Sequence, residues 1–239
     1  MLKTKIAVLA ATGLMASCVG AENTVEANIR KNIEPRLGGA KIDTITATPY
    51  SGLYELRIGG DILYADKKGE FLFIGQVYEA KTSRNITKAR IDDLNKIKFS
   101  DLPLASALKQ VKGDGKRVIA VFEDPNCGYC KRLRQTTLKD IDNVTIYTFM
   151  YNILSEDSFT KSKNIWCAPD RVKAWDDWMI NGKVPAATPA NCETPNQKIV
   201  ELGQKLIFQG TPAIFFTDGT RVPCAVDLPA LDAKLDSIK

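Results

Sequence analysis

An apolar run, Val118 to Phe122, leads into Cys127-Gly128-Tyr129-Cys130 and then into a polar, basic stretch with helical spacing. This junction constrains the chain more than any other feature. It demands a buried strand, a helix whose first turn carries both thiols, and packing that holds the pair in place. Helix N-terminal amides and the macrodipole stabilise negative charge, so the first thiol is expected to ionise more readily than a free cysteine. A thiolate is the nucleophile of disulfide exchange, and the second thiol is placed to resolve a mixed disulfide. Lys131, Arg132 and Arg134 add positive charge just downstream. Two other uses of such a pair are a zinc half-site and an inert staple. A structural zinc site needs four Cys or His ligands, and here the other cysteines are scattered.

Histidine is absent from all 239 residues. That excludes Ser-His-Asp and Cys-His catalysis and His-ligated metals. It also excludes haem attachment, since Lys131 stands where Cys-x-x-Cys-His needs histidine. No metal and no cofactor are expected. The first residues read as an export signal: Lys3 and Lys5, then the apolar Ile6 to Met15, then Val19-Gly20-Ala21 as a small-residue cleavage site. The signal peptide is placed at 1–21, with the mature chain starting near Glu22. Met15-Ala16-Ser17-Cys18 resembles a lipid-attachment box, with Met where Leu is usual, and lipid modification of Cys18 is the weaker alternative. Without residues 1–21 the charge is 31 basic against 28 acidic residues, or +3. That is too small and dispersed for nucleic-acid binding. Export implies an oxidising compartment in which disulfides persist.

The pattern changes along the chain. Residues 24–37 carry Val25, Ile29 and Ile33 at helical spacing. Short alternating runs follow: Lys41 to Ala47, Gly52 to Ile58, Asp61 to Tyr64 and Phe71 to Gly75, with turns at Gly59-Gly60 and Lys67 to Gly69. A helix and small antiparallel sheet of this size have a limited core and commonly gain stability by pairing with a second copy. Residues 22–84 are therefore read as an association domain. Ile86, Ile91, Leu94 and Ile97 then predict a helix over 86–99 with Thr87 as N-cap, and Leu104, Leu108 and Val111 predict a second short helix. Residues 85–112 form, on this reading, a helical linker. Beyond it, strands over Val118 to Phe122 and Val144 to Tyr151 flank a helix from Cys127 to Asp140. Helices over Phe159 to Met179 and Thr194 to Leu206, a hairpin from Ala213 to Val222 and a final helix over Leu228 to Ile238 complete the chain. This order matches a thioredoxin-type domain over 113–239, and the whole is α+β.

Thr211-Pro212 precedes the hairpin. Proline rarely opens a strand beside a core unless its peptide bond has a special geometry. A cis bond there would turn residue 211 toward the Cys-x-x-Cys, where its backbone could pair with an extended peptide.

Cys127-Gly128-Tyr129-Cys130 together with Gly210-Thr211-Pro212-Ala213 resembles the DsbC family of periplasmic protein disulfide isomerases, and Ile165-Trp166-Cys167-Ala168 resembles that family's helical insertion. The resemblance covers the whole mature chain. It implies an N-terminal dimerisation domain, a helical linker and a thioredoxin-like domain with a helical insertion, arranged as a V-shaped homodimer. It implies catalysis by Cys127, with Cys130 resolving, and substrate contact through Tyr129, Thr211 and Pro212. Its implied partners are misfolded exported proteins with wrong disulfides and a DsbD-type membrane electron donor, with a chaperone activity beside the exchange. It also implies a structural disulfide between Cys167 and Cys192; a second redox pair is the alternative there. A DsbG-like reductase of single oxidised cysteines, a holdase with an incidental Cys-x-x-Cys and a disulfide-generating oxidase are the competing readings. Gly128, where the DsbG-like relative is expected to have Pro, favours the isomerase.

Several residues keep two readings. Cys224 departs from the family pattern and is the odd cysteine of the mature chain: a small buried hydrophobe or an exposed thiol. Glu123 and Asp124 either assist proton transfer from Cys130 or shape the loop entering the helix. Trp166, Trp175 and Trp178 are expected to pack the insertion.

Overall fold

The computed structural model describes residues 18–50, 52–189 and 191–238, with side chains from Thr24 onward. The leader expected over 1–21 lies, through residue 17, outside the described residues. The chain divides into two compact units, residues 1–76 and 77–239.

In the first unit α1 (Cys18–Ile33) precedes a four-stranded antiparallel sheet, β1 (Thr44–Ala47), β2 (Leu53–Ile58), β3 (Asp61–Asp66) and β4 (Leu72–Phe73), ordered as numbered. Ile29 and Ile33, one turn apart, are buried with Ile42, Leu56 and Ala65. The helix stops short of the expected residue 37. Pro35 cannot donate within a continuing α-helix, and Glu34–Arg36 tighten into a 3-10 turn. Strands β2 and β3 pair from Leu53↔Asp66 to Ile58↔Asp61 around the turn at Gly59, whose φ of +59° suits glycine.

The second unit opens with a small hairpin, β5 (Tyr78–Glu79) and β6 (Arg84–Asn85), and α2 (Ile86–Leu94). Asn85, not Thr87, caps α2 by accepting from Lys88 N at 2.9 Å. Thr87 is buried and accepts from Val77 N instead. The linker expected to be helical over 85–112 is corrected here: α2 ends at Leu94, and the remainder forms 3-10 turns at Phe99–Asp101 and Leu104–Ser106 and a strand, β7 (Leu108–Lys112). Helical spacing of Leu104, Leu108 and Val111 was a misleading signal. Leu108 is buried, Val111 is 55% exposed, and the sheet's edge takes the segment as a strand paired with β9. Ile97, Phe99 and Leu104 pack against the core of this unit, and Ile97 N donates to Gly219 O.

The five-stranded sheet has the order β11-β10-β8-β9-β7. Its centre, β8 (Arg117–Glu123) and β9 (Val144–Met150), is parallel and joined by α3 (Gly128–Gln135) and α4 (Thr137–Asp140). Strand β8 is buried on both faces, which explains its unbroken apolar run. Ile119 and Val121 face Leu133, Leu138, Leu231 and Leu235; Ala120 and Phe122 face Phe149, Tyr151, Ile199 and Phe215. Two helices, α5 (Glu156–Trp166) and α6 (Arg171–Asn181), replace the single helix expected over Phe159 to Met179, separated at Pro169. They are followed by α7 (Asn196–Lys205), the antiparallel hairpin β10 (Ala213–Phe216) and β11 (Arg221–Val222), and α8 (Leu228–Asp236). The expected helix from Cys127 to Asp140 is likewise two, broken at Thr136.

Candidate active site

Cys127 is the N-cap of α3, and its sulfur accepts from the backbone N–H of Cys130 at 3.3 Å. The loop before it is built around Asp124, which is fully buried and bonded on both oxygens. Oδ1 accepts from Asn126 N and Ser158 Oγ, each at 2.8 Å; Oδ2 accepts from Ile153 N and Leu154 N at 2.9 and 3.0 Å. Cys127 N donates to the Asp124 carbonyl. The four bonds assign Asp124 to shaping the loop.

Both sulfurs are buried, with Cys130 the deeper, against Leu108, Met150, Ile165, Trp175 and Met179. The helical insertion thus forms the wall behind the dithiol. Trp175 is buried, and Trp178 donates to Pro125 O at 2.6 Å while its ring lies under the Lys131 ammonium at 4.0 Å. Tyr129 projects outward and is 69% exposed.

The two thiols differ sharply. Hydrogen bonding from the Cys130 side chain, against the cost of burial and with help from the Thr211 side chain and the N–H groups of Cys130 and Tyr129, lowers Cys127 to a pKa of about 6. Burial pushes the Cys130 thiol far above its ordinary range, and its bond to Cys127 and the charge of Glu123 push the same way. The activation of Cys127 therefore comes chiefly from short-range hydrogen bonds. Arg134, expected as one of three activating cations, serves elsewhere: it is buried and donates from Nε and Nη2 to Glu123 Oε2 at 2.8 and 2.6 Å. It also donates to Thr148 Oγ1, and to Gln110 Oε1 at 3.4 Å. Glu123 is fully buried, its Oε1 has no partner, and burial raises its pKa with Arg134 pulling it down. Arg134 falls one turn after Cys130, beside Leu133, on the buried face of α3. That spacing is the sequence signal that places the guanidinium on the buried face.

Across the site the Thr211–Pro212 peptide is cis, and the Cys127 thiol donates to the Thr211 carbonyl at 3.3 Å. Cys127, Cys130 and Thr211 are thus brought into one cluster. The other cysteines lie outside it. Cys167 and Cys192 are joined by a disulfide, Cα–Cα 6.4 Å, that spans the insertion, and Cys224 is an exposed free thiol.

Residues 104–239 match the model of a thioredoxin-like domain, and residues 20–88 match that of the disulfide bond isomerase protein N-terminal domain. The fold and the dithiol at a helix start define a thioredoxin-like thiol–disulfide oxidoreductase. The "Probable thiol:disulfide interchange protein DsbC" of Bordetella parapertussis is 47% identical over 87% of this chain and 73% of its own length. The "Thiol:disulfide interchange protein DsbC" of Escherichia coli (strain K12) is 29% identical over 88% of this chain and 87% of its own. A crystal structure of a disulfide interchange protein from Neisseria gonorrhoeae superposes with a TM-score of 0.53 at 38% identity, covering 56% of this chain and 96% of that one. The chain belongs to the DsbC family of thiol:disulfide interchange proteins. Among the described residues, no helix is long and apolar enough to cross a membrane.

Proposed function

We propose that this chain is a periplasmic disulfide isomerase that rearranges wrong disulfides in exported proteins, with Cys127 attacking and Cys130 resolving. The asymmetry of the dithiol carries the reading: Cys127 is lowered to about 6 while Cys130 keeps its proton. The Cys127 thiolate attacks a substrate disulfide; a Cys127–substrate S–S bond forms, the substrate bond breaks, and the departing sulfur leaves as a thiolate that takes up a proton. In isomerisation a second substrate thiolate attacks the substrate sulfur of the mixed disulfide and expels Cys127, with no net electron transfer. In reduction Cys130 loses its proton and attacks Cys127 Sγ. The substrate thiolate then leaves with two electrons, and a Cys127–Cys130 disulfide remains for a DsbD-type membrane donor to reduce. A strongly held Cys130 proton slows the second route and gives the substrate time to rearrange. Thr211, Pro212 and the outward Tyr129 border the path of the incoming chain and are assigned to substrate contact.

Residues 22–84 are assigned to homodimerisation. Strand β4 is an edge of the first unit's sheet, and Phe71, Phe73 and Ile74 beside it are exposed, Ile74 by 79%. An open apolar edge of this kind is a template for a second copy. The leader at 1–21 supports export, and the Cys167–Cys192 bridge is assigned a structural role.

Refolding of a scrambled disulfide protein tests the assignment. Wild-type chain restores native pairing and the Cys127→Ala variant does not; a Cys127→Ala protein that rearranges disulfides at the normal rate overturns it. Suppression of aggregation retained by that variant measures the chaperone activity separately. Rapid alkylation in cells reads the resting state: recovery of Cys127 and Cys130 mainly oxidised favours an oxidase instead.

A further inference from the structure

Trp175 packs the insertion from within, whereas Trp178, on the same helix α6, is half-buried and reaches the segments on both sides of Cys127. Its indole N–H donates to Pro125 O at 2.6 Å, two residues before the thiol. Its ring centroid lies 4.0 Å from the ammonium of Lys131, four residues after the thiol. Lys131 N in turn donates to the Cys127 carbonyl at 3.1 Å and closes the first turn of α3. A second ammonium, that of Lys161 on α5, lies 4.7 Å from the same ring. Lys161 is paired with Asp157, and Asp157 Oδ2 accepts from Asn126 Nδ2 at 2.8 Å. These contacts close a circuit from Pro125 through Trp178, Lys161 and Asp157 to Asn126, the next residue of the chain. The indole suits this place because it joins a π face that attracts cations to a single N–H donor at its edge.

We propose that Trp178 is a positioning residue of the thiol–disulfide exchange: it ties the Pro125-Asn126 loop to the first turn of α3 and thereby fixes Cys127 Sγ in its N-cap place. The inference rests on the reading of Cys127 as the attacking thiolate. Asp124 anchors the start of the loop through its four bonds, and Trp178 anchors the residues between Asp124 and the thiol. The Cys127 sulfur accepts from Cys130 N at 3.3 Å, and such bonds weaken steeply with distance and angle. A loop free to swing would forfeit them. Cys127 would then be less ionised, a weaker attacker at neutral pH and a poorer group for a substrate thiolate to expel.

The test is alkylation of the reduced full-length chain between about pH 4 and 9, following the Cys127 peptide by mass spectrometry so that Cys224 does not contribute. Trp178→Phe keeps a ring for Lys131 and Lys161 and removes the donor to Pro125 O. Lys131, Asp157, Lys161 and the Glu123–Arg134 pair all stay, so a shift cannot come from a lost charge. The midpoint is expected to rise from about 6 by on the order of half a pH unit, about threefold in the ionisation constant. Trp178→Leu also removes the π face and is expected to rise by about one unit. Trp166, whose ring lies against Arg171, stands outside the circuit, and Trp166→Phe is expected to keep the midpoint at about 6. Midpoints unchanged in both Trp178 variants overturn the proposal, even where urea unfolding shows them destabilised, because lost packing lowers stability without moving the thiol. An equal rise in Trp166→Phe overturns it as well. A wild-type midpoint near the free-thiol value of about 8.5 instead overturns the Cys127 reading beneath it.

Discussion

The sulfur of Cys127 lies 3.3 Å from the carbonyl oxygen of Thr211, a residue 84 positions later in the chain. The thiol donates in this contact, so it favours the protonated form. The Cys130 side chain, the Thr211 side chain and the first amides of α3 favour the thiolate, and the net balance lowers the pKa to about 6. Alkylation of the reduced protein is therefore expected to titrate with a midpoint near pH 6. A midpoint near the free-thiol value of about 8.5 contradicts the arrangement. The linkage sign follows. A depressed folded pKa contributes stability that is fully present above the unfolded value and lost as pH falls through the folded one. Denaturant titrations of reduced protein should show stability rising between about pH 6 and 8.5 relative to the oxidised protein, in which Cys127 does not titrate.

Replacing Cys130 has two effects. Cys130→Ala removes the resolving thiol, so mixed disulfides with substrate accumulate and are visible on non-reducing gels. It also removes the largest influence lowering Cys127, and the alkylation midpoint should move upward from about 6. An unchanged midpoint assigns the activation to the helix amides alone.

The buried pair of Glu123 and Arg134 supports the dithiol from beneath. Breaking a buried ion pair leaves an uncompensated charge, so Arg134→Met should cost about 3–5 kcal/mol in urea unfolding. Glu123→Gln keeps an acceptor for Arg134 and removes a negative charge that helps Cys130 hold its proton. The expected outcome is faster resolution, read as more net reduction and less isomerisation at equal substrate.

The Cys167–Cys192 bridge joins residues 25 apart in sequence. On the chain-entropy account, its loss in Cys167→Ala/Cys192→Ala costs roughly 3.5 kcal/mol. Thermal unfolding checks the stability. Because α5 and α6 wall the dithiol, the Cys127 alkylation rate reports whether loosening the insertion reaches the site.

A backbone approach elsewhere has no slack. Gly219 sits at φ +82° in the β10–β11 turn, and a Cβ there would lie 2.2 Å from the Ile97 carbonyl oxygen. Gly219→Ala should destabilise the second unit by about 1–3 kcal/mol, lowering its denaturation midpoint.

Local patterns carried much of this protein. The two-faced burial of β8 was legible in Val118 to Phe122, because a central strand needs apolar side chains on both sides. The dithiol's place at a helix start was legible from the break between that run and a polar helix. Tertiary packing decided the rest. Leu104, Leu108 and Val111 keep helical spacing, yet the free edge of β9 draws residues 108–112 into the sheet. Arg134 looks like a solvent cation until α3 packs on the sheet and sets it against Glu123, beneath a cluster that also contains Thr148 and Gln110. Asp124 gains its role only when Ile153 and Leu154, from the loop before α5, and Ser158, in the first turn of α5, arrive from some 30 residues away. Hydrophobic periodicity reports which face of an element is buried. It does not report what lies opposite, and the opposing groups set the charge state of Cys127, Cys130 and Glu123.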